Sequence, residues 1–141
     1  MRKIFLIVLM LYILLFTLTG CQSAEEYYEN KSIRIGVCHT SCFDTYAEYD
    51  VYFENLKKGE SFALPNGEAN PYKVSVTITD INKDFITLAF SQPMDRIISG
   101  ENSKWELVID SFSLKYGSAE RFVTPTDGGG DSFSFSIVDK G

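Results

Sequence analysis

From Tyr72 to Asp80 the side chains of Tyr72, Val74, Val76 and Ile78 alternate without exception with Lys73, Ser75, Thr77 and Thr79. A period of two carried by β-branched residues predicts a strand buried on one face. The turn-forming run Ile81-Asn82-Lys83-Asp84 follows, and then Ile86, Leu88 and Phe90 alternate with Thr87, Ala89 and Ser91, so the two runs form a hairpin. Near the C-terminus Phe133, Phe135 and Ile137 alternate with Ser132, Ser134 and Ser136, which places the aromatic rings on one face and the hydroxyls on the other. Ile33, Ile35 and Val37 alternate in the same way with Arg34, Gly36 and Cys38.

Two segments are less regular. Trp105, Leu107 and Ile109 share one phase while Phe112, Leu114 and Tyr116 take the other, so the pattern breaks at about Asp110-Ser111 and calls for a bulge or tight turn there. Tyr49, Val51 and Phe53 alternate with Glu48, Asp50, Tyr52 and Glu54, although Tyr46, Tyr49, Phe53 and Leu56 also fit a helical stripe. The Tyr, Val and Phe enrichment favours the strand. A short run from Glu120 to Thr124 completes the set, and Gly59-Glu60, Pro65-Asn66-Gly67, Asn70-Pro71, Gln92-Pro93 and Gly128-Gly129-Gly130 mark loops.

Seven or eight short strands, mostly apolar on one face, need something to cover those faces. The expectation is an all-β fold, an antiparallel β-sandwich with an immunoglobulin-like arrangement among the topologies available, and a small open β-barrel as the alternative. The immunoglobulin Cys…Trp…Cys order is absent, because both cysteines after Cys21 precede Trp105.

The N-terminus reads differently from this domain. Met1-Arg2-Lys3 is followed by an apolar stretch from Ile4 to Phe16 and then by Leu18-Thr19-Gly20-Cys21. A basic start, a short apolar run and small residues before a cut describe a secretory signal, and the run is shorter than the ~20 residues of a membrane-spanning helix. Leu18-Thr19-Gly20-Cys21 resembles the lipobox of bacterial lipoproteins, and the resemblance implies that Cys21 is diacylated and becomes the first residue of the mature chain. Two acyl chains suffice for stable anchoring where one is marginal. The chain then divides into a signal peptide at 1–20, a lipidated tether at 21–32, polar and acidic, and a β domain at 33–141; the alternative for the tether is that Tyr27 and Tyr28 dock on the domain or at the lipid interface. It would work at the extracytoplasmic face of a membrane.

Charge narrows the partners. The chain has 13 basic and 19 acidic residues; Arg2 and Lys3 fall in the first twenty, which hold no acid, so the remainder has 11 against 19 and a net charge of −8. That sign repels phosphate backbones and argues against nucleic-acid binding.

One compact cluster of reactive side chains remains, Cys38-His39-Thr40-Ser41-Cys42. In an exported protein, Cys38 and Cys42 at this spacing are expected to close a small disulfide loop. The sharper reading is a metal site for copper(I) or zinc formed by Cys38, His39 and Cys42. The Cys-x-x-x-Cys spacing is similar to that of copper-delivery proteins of the thioredoxin-like class, yet no βαβ pattern surrounds it and no second histidine exists to complete the site. With one histidine in the chain, every nucleophile-base scheme runs through His39, and no Gly-x-Ser-x-Gly elbow is present. Asp127 and Asp131 flank a glycine run that invites a calcium reading, but the spacing of an EF-hand is missing and a mobile turn accounts for the run more simply. Asp80 and Asp84 flank the hairpin tip. Tyr52 with Glu48 and Asp50 forms a candidate partner surface, while Tyr49 belongs to the core phase. The expectation is a non-catalytic binding module with no cofactor, anchored in the membrane through Cys21, its ligand a protein or envelope component; the alternative is an envelope thiol or metal protein.

Overall fold

A computed structural model of the chain describes residues 23–41, 45–67, 70–98, 104–125 and 129–141. Among the described residues one short helix, α1 (Ala24–Tyr27), precedes eight strands: β1 (Lys31–Ser41), β2 (Thr45–Phe53), β3 (Ser61–Ala63), β4 (Ser75–Ile81), β5 (Ile86–Ile98), β6 (Lys104–Leu114), β7 (Ala119–Val123) and β8 (Gly129–Asp139). All pair antiparallel in one sheet, in the order β2-β1-β8-β7-β5-β4-β3, with β6 on β5. The predicted sandwich of separate sheets is therefore replaced by the alternative, a nearly closed, barrel-like single sheet. Its two ends meet where Phe53 of β2 stacks on Phe62 of β3, centroids 4.2 Å apart.

The long β5 explains how one sheet covers its own apolar face. Its first half, Ile86 to Phe90, pairs with β4, and its second half, Asp95 to Ile97, pairs with β7. Between them the pairing with β6 skips from Ala89 to Met94, which leaves Pro93, without an N–H, where no ladder bond is required. Gln92-Pro93, read as a loop, thus lies inside a strand that turns a corner. The corner is tied down by Tyr72 Oη donating to the Pro93 carbonyl at 2.5 Å and by Gln92 Nε2 donating to the Lys73 carbonyl at 2.7 Å. On β6 the expected break in phase is present: Val108 has φ 63° and donates its N–H to Asp95 Oδ1 at 3.2 Å. A β-branched residue in that region is strained by ~1–2 kcal/mol, and the bend is what requires it.

The core lies between the halves of the sheet. Ile33, Ile35 and Val37 of β1 and Phe133, Phe135 and Ile137 of β8 face Val76, Ile78, Ile86, Leu88, Phe112 and Leu114, all buried. Phe90, Phe112, Phe122 and Phe135 form one aromatic cluster in which every pair of rings is in contact. The hairpin of β4 and β5, the β8 strand and the strand reading of β2 agree with the sequence pattern. The three-residue β3 was not foreseen.

Of the two readings of the segment before β1, the docked one describes residues 23–28. Ser23 caps α1 by accepting from the Glu26 N–H at 3.1 Å, and Tyr28 is 1% exposed within the core cluster. Lys31 Nζ sits 4.8 Å from the Tyr27 ring and 5.0 Å from the Tyr116 ring. It lies 3.4 Å from Asp139 Oδ1, while Tyr116 Oη donates to Asp139 Oδ2 at 2.7 Å. The Tyr116 hydrogen bond, then Lys31, hold the Asp139 carboxyl below its ordinary value, and the same bond raises the Tyr116 phenol. A depressed acid stabilises above its unfolded pKa and stops doing so as pH falls through its folded one; a raised phenol does so below its unfolded pKa and stops as pH rises. The contact is therefore expected to hold α1 to β8 across neutral pH and to let go at both extremes. The protection factors of the Glu29 and Lys31 amides should fall in the wild type as pH drops below the ordinary carboxylate range, and Asp139→Asn should already show the lower protection at about pH 7. An unchanged exchange profile in that variant would show that the contact does not fasten the segment.

Candidate functional site

The inner face of β1 continues past Val37 to His39, and that of β8 begins at Asp131, so strand alternation sends both side chains into one end of the barrel. His39 is 4% and Asp131 2% exposed. His39 Nδ1 meets Asp131 Oδ1 at 2.5 Å. Because a carboxylate only accepts, Nδ1–H donates to it, and Nε2 shares a hydrogen bond with Tyr49 Oη at 2.9 Å. Asp131 Oδ2 accepts from the Gly67 N–H at 3.1 Å and from Asn70 Nδ2 at 2.7 Å. Thr124 Oγ1 accepts from Asn70 Nδ2 at 3.2 Å and from the Asp131 N–H at 3.0 Å. This network joins β1, β2, β8, the end of β7 and the segment before β4. Both ring nitrogens of the single histidine are engaged in it.

Several candidate roles change with that geometry. Adjacent residues of a strand leave opposite faces, so Cys38 points outward while His39 points into the barrel, and the strand does not bring those two metal candidates together. Among the described residues no group of three or more His, Cys, Asp or Glu side chains is placed to hold a metal ion. Cys38 is a free thiol, half-buried, rather than half of an observed disulfide. Asp131 belongs to a strand, with its carboxylate turned inward, and not to an ion-binding loop. Cys21, Cys42 and Asp127 lie outside the described residues, as does the signal segment. Among the described residues no helix is long and apolar enough to cross a membrane.

The outward face of β2, β1, β8 and β7 carries a second arrangement. Pairing places Asp50, Gly36, Ser134 and Arg121 in one row across the four strands, and Glu48, Cys38 and Ser132 in the next. A groove of about 320 Å³ runs over these rows, with Glu48 and Tyr49 on one wall, Arg121 on the other and Gly36, Ser132 and Ser134 in its floor. A second groove of about 440 Å³ also has Arg121 and Ser134 in its lining. Arg34, which also lines the first groove, is neutralised, its Nη2 donating to Asp50 Oδ2 at 2.8 Å; Arg96 donates through Nε and Nη2 to Glu120 Oε2 at 3.0 and 2.6 Å, a pair that the register with Phe122 and Phe135 puts on the other face of the sheet. The Asp50 hydrogen bond raises the Arg34 guanidinium further above its ordinary value. The predicted surface of Glu48, Asp50 and Tyr52 is formed, all three exposed on β2.

Sequence reasoning missed Asn70 and Gly67, which look like loop punctuation, Thr124, which reads as the end of a strand, and Arg121, one basic residue among 13. For Asp131 and His39 the signal existed: each continues the apolar phase of its strand. Comparison with protein-family models, curated proteins and solved structures finds no match to this chain.

Proposed function

We propose that the protein is a membrane-anchored extracytoplasmic lipoprotein, held by acyl chains on Cys21, whose β domain is a non-catalytic binding module with the groove across β2, β1, β8 and β7 as its ligand seat. The observation that carries the binding reading is the contrast between the two polar sites. The buried one is closed, its histidine and carboxylate spent on holding strands together, whereas the outward one is a concave, solvent-reached surface with charged walls. The Leu18-Thr19-Gly20-Cys21 ending supports the anchor. Docking of Ser23 to Tyr28 on the domain leaves Gln22 as the single residue between Cys21 and that docked segment. At ~3.5 Å per residue, a lipid on Cys21 would hold this end of the barrel close to the headgroups.

The test is the intact mass of full-length product extracted from its native membranes, with alkylation before and after reduction. Cleavage before Cys21 with added lipid is expected, together with Cys38 alkylated without reduction. An uncleaved, unmodified N-terminus would overturn the anchor. The thiol and metal alternative retains Cys38 and Cys42 as its ligands, and a metal ion retained in the native mass and lost in Cys38→Ser would move it ahead.

A further inference from the structure

One pair of charges around the groove cancels, and two are left. Arg34 is matched by Asp50. Among the described residues Arg121 and Glu48 have no hydrogen-bond or ion-pair partner, and both line the same groove. They stand on opposite walls: Arg121 on β7, Glu48 on β2, with β8 and β1 between them. Three strand steps separate the backbones by ~14 Å. Both residues line that span, and the reach of their side chains leaves room for a few ångströms to about 10 Å of ligand, the length of one to three residues.

The floor fits a polar backbone rather than an apolar chain. The Ser132 and Ser134 side chains project there beside Gly36, whose missing side chain deepens the groove. A Cβ at position 36 would touch Asp50 Oδ1 at 3.4 Å and Ser134 Cβ at 3.7 Å, which is ordinary contact, so the fold does not demand glycine there. An anionic ligand alone would satisfy Arg121 and face Glu48; a cationic one would do the reverse.

We propose that the groove takes a small zwitterion, a free amino acid or short peptide, with its carboxylate on Arg121, its ammonium on Glu48 and its polar backbone over Ser132 and Ser134. This rests on the binding-module reading and adds the chemistry of the ligand. Both contacts are open to solvent, where single ion pairs are weak, so binding is millimolar for a dipeptide and each end contributes roughly fivefold.

The experiment uses the full chain in micelles with alanylalanine, its N-acetyl derivative and its C-terminal amide, followed by the backbone amide shifts of Gly36, Cys38, Ser132 and Ser134. Alanylalanine should move these four signals, and each capped form should bind about fivefold more weakly. Arg121→Gln should erase the preference over the amide and leave the preference over the acetyl form; Glu48→Gln should do the opposite. Gly36→Val, which fills the floor, should abolish binding without lowering the thermal midpoint. Equal binding of the acetylated and free dipeptides would overturn the zwitterion and leave a binding groove for anions. No shift with any of the three at ~10 mM would overturn the inference. The module reading itself fails separately, if Gly36→Val leaves unchanged every crosslink formed by the membrane-held protein.

Discussion

Asp131→Ala should destabilise the domain by about 3–5 kcal/mol, measured as a shift of the urea midpoint at constant slope. The carboxylate is 2% exposed and receives three donors, His39 Nδ1, the Gly67 N–H and Asn70 Nδ2, so its removal strands all three at once in a place water barely reaches. The damage should spread over β1 and the segment before β4, because those elements supply the donors. Asp131→Asn keeps the volume and one acceptor but turns an amide N–H₂ towards existing donors, and roughly 2 kcal/mol is expected. Replacing both members of the pair, His39→Leu with Asp131→Leu, should recover part of the loss and not the whole, since Gly67 and Asn70 still lack an acceptor. A cycle between Asp131 and Asn70 should give a coupling of about 1–2 kcal/mol. A cost below about 1 kcal/mol for Asp131→Ala would mean that the network does not hold this end of the barrel.

Phe135→Ala is expected to cost about 3–5 kcal/mol, the loss of a large buried ring plus the cavity it leaves. Phe135 is fully buried and its centroid lies 5.2 Å from Phe112, 5.9 Å from Phe122 and 6.0 Å from Phe90. Those rings belong to β6, β7 and β5, so one substitution loosens the contact between the two halves of the sheet. Phe135→Leu should cost about 1–2 kcal/mol, since most of the volume remains. Ser134→Ala, one residue away on the opposite face, should stay within about 0.5 kcal/mol although it lines the groove. Thermal unfolding of the three variants side by side separates the faces of β8, and similar losses for Phe135→Ala and Ser134→Ala would contradict the register of this strand.

Strand alternation located most of the barrel in advance. Phe133, Phe135 and Ile137 point inward as their spacing requires, and the change of phase near Asp110 is a real bend, marked by the positive φ of Val108. The corner in β5 was hidden because Gln92-Pro93 looks like a loop; a proline is compatible with a strand where the ladder skips, and only the partner strand reveals the skip. Residues 21–32 looked like a tether because their composition is acidic and aperiodic. Tyr28 nonetheless enters the core, since a single aromatic anchor leaves no period to detect.

The candidate sites were legible to different degrees. His39 continues the phase of Ile33, Ile35 and Val37, and Asp131 that of Phe133 and Phe135, so their burial is implied by alternation. Their meeting across 92 positions is not. The groove could not be read at all, because Arg121, Ser134, Gly36 and Asp50 form a row only when β7, β8, β1 and β2 lie side by side.

What the chain alone establishes is local: which segments are strands, which face of each is apolar, and the signal-like start ending at Cys21. These depend on neighbours within a few residues, where backbone geometry sets a period of two. Which strands pair, whether the sheet closes on itself and which charges are left without a partner depend on contacts between distant segments. The same alternating pattern serves a sandwich and a barrel equally well, since each buries one face, and the choice falls to the bend in β5 and to the stacking of Phe53 on Phe62.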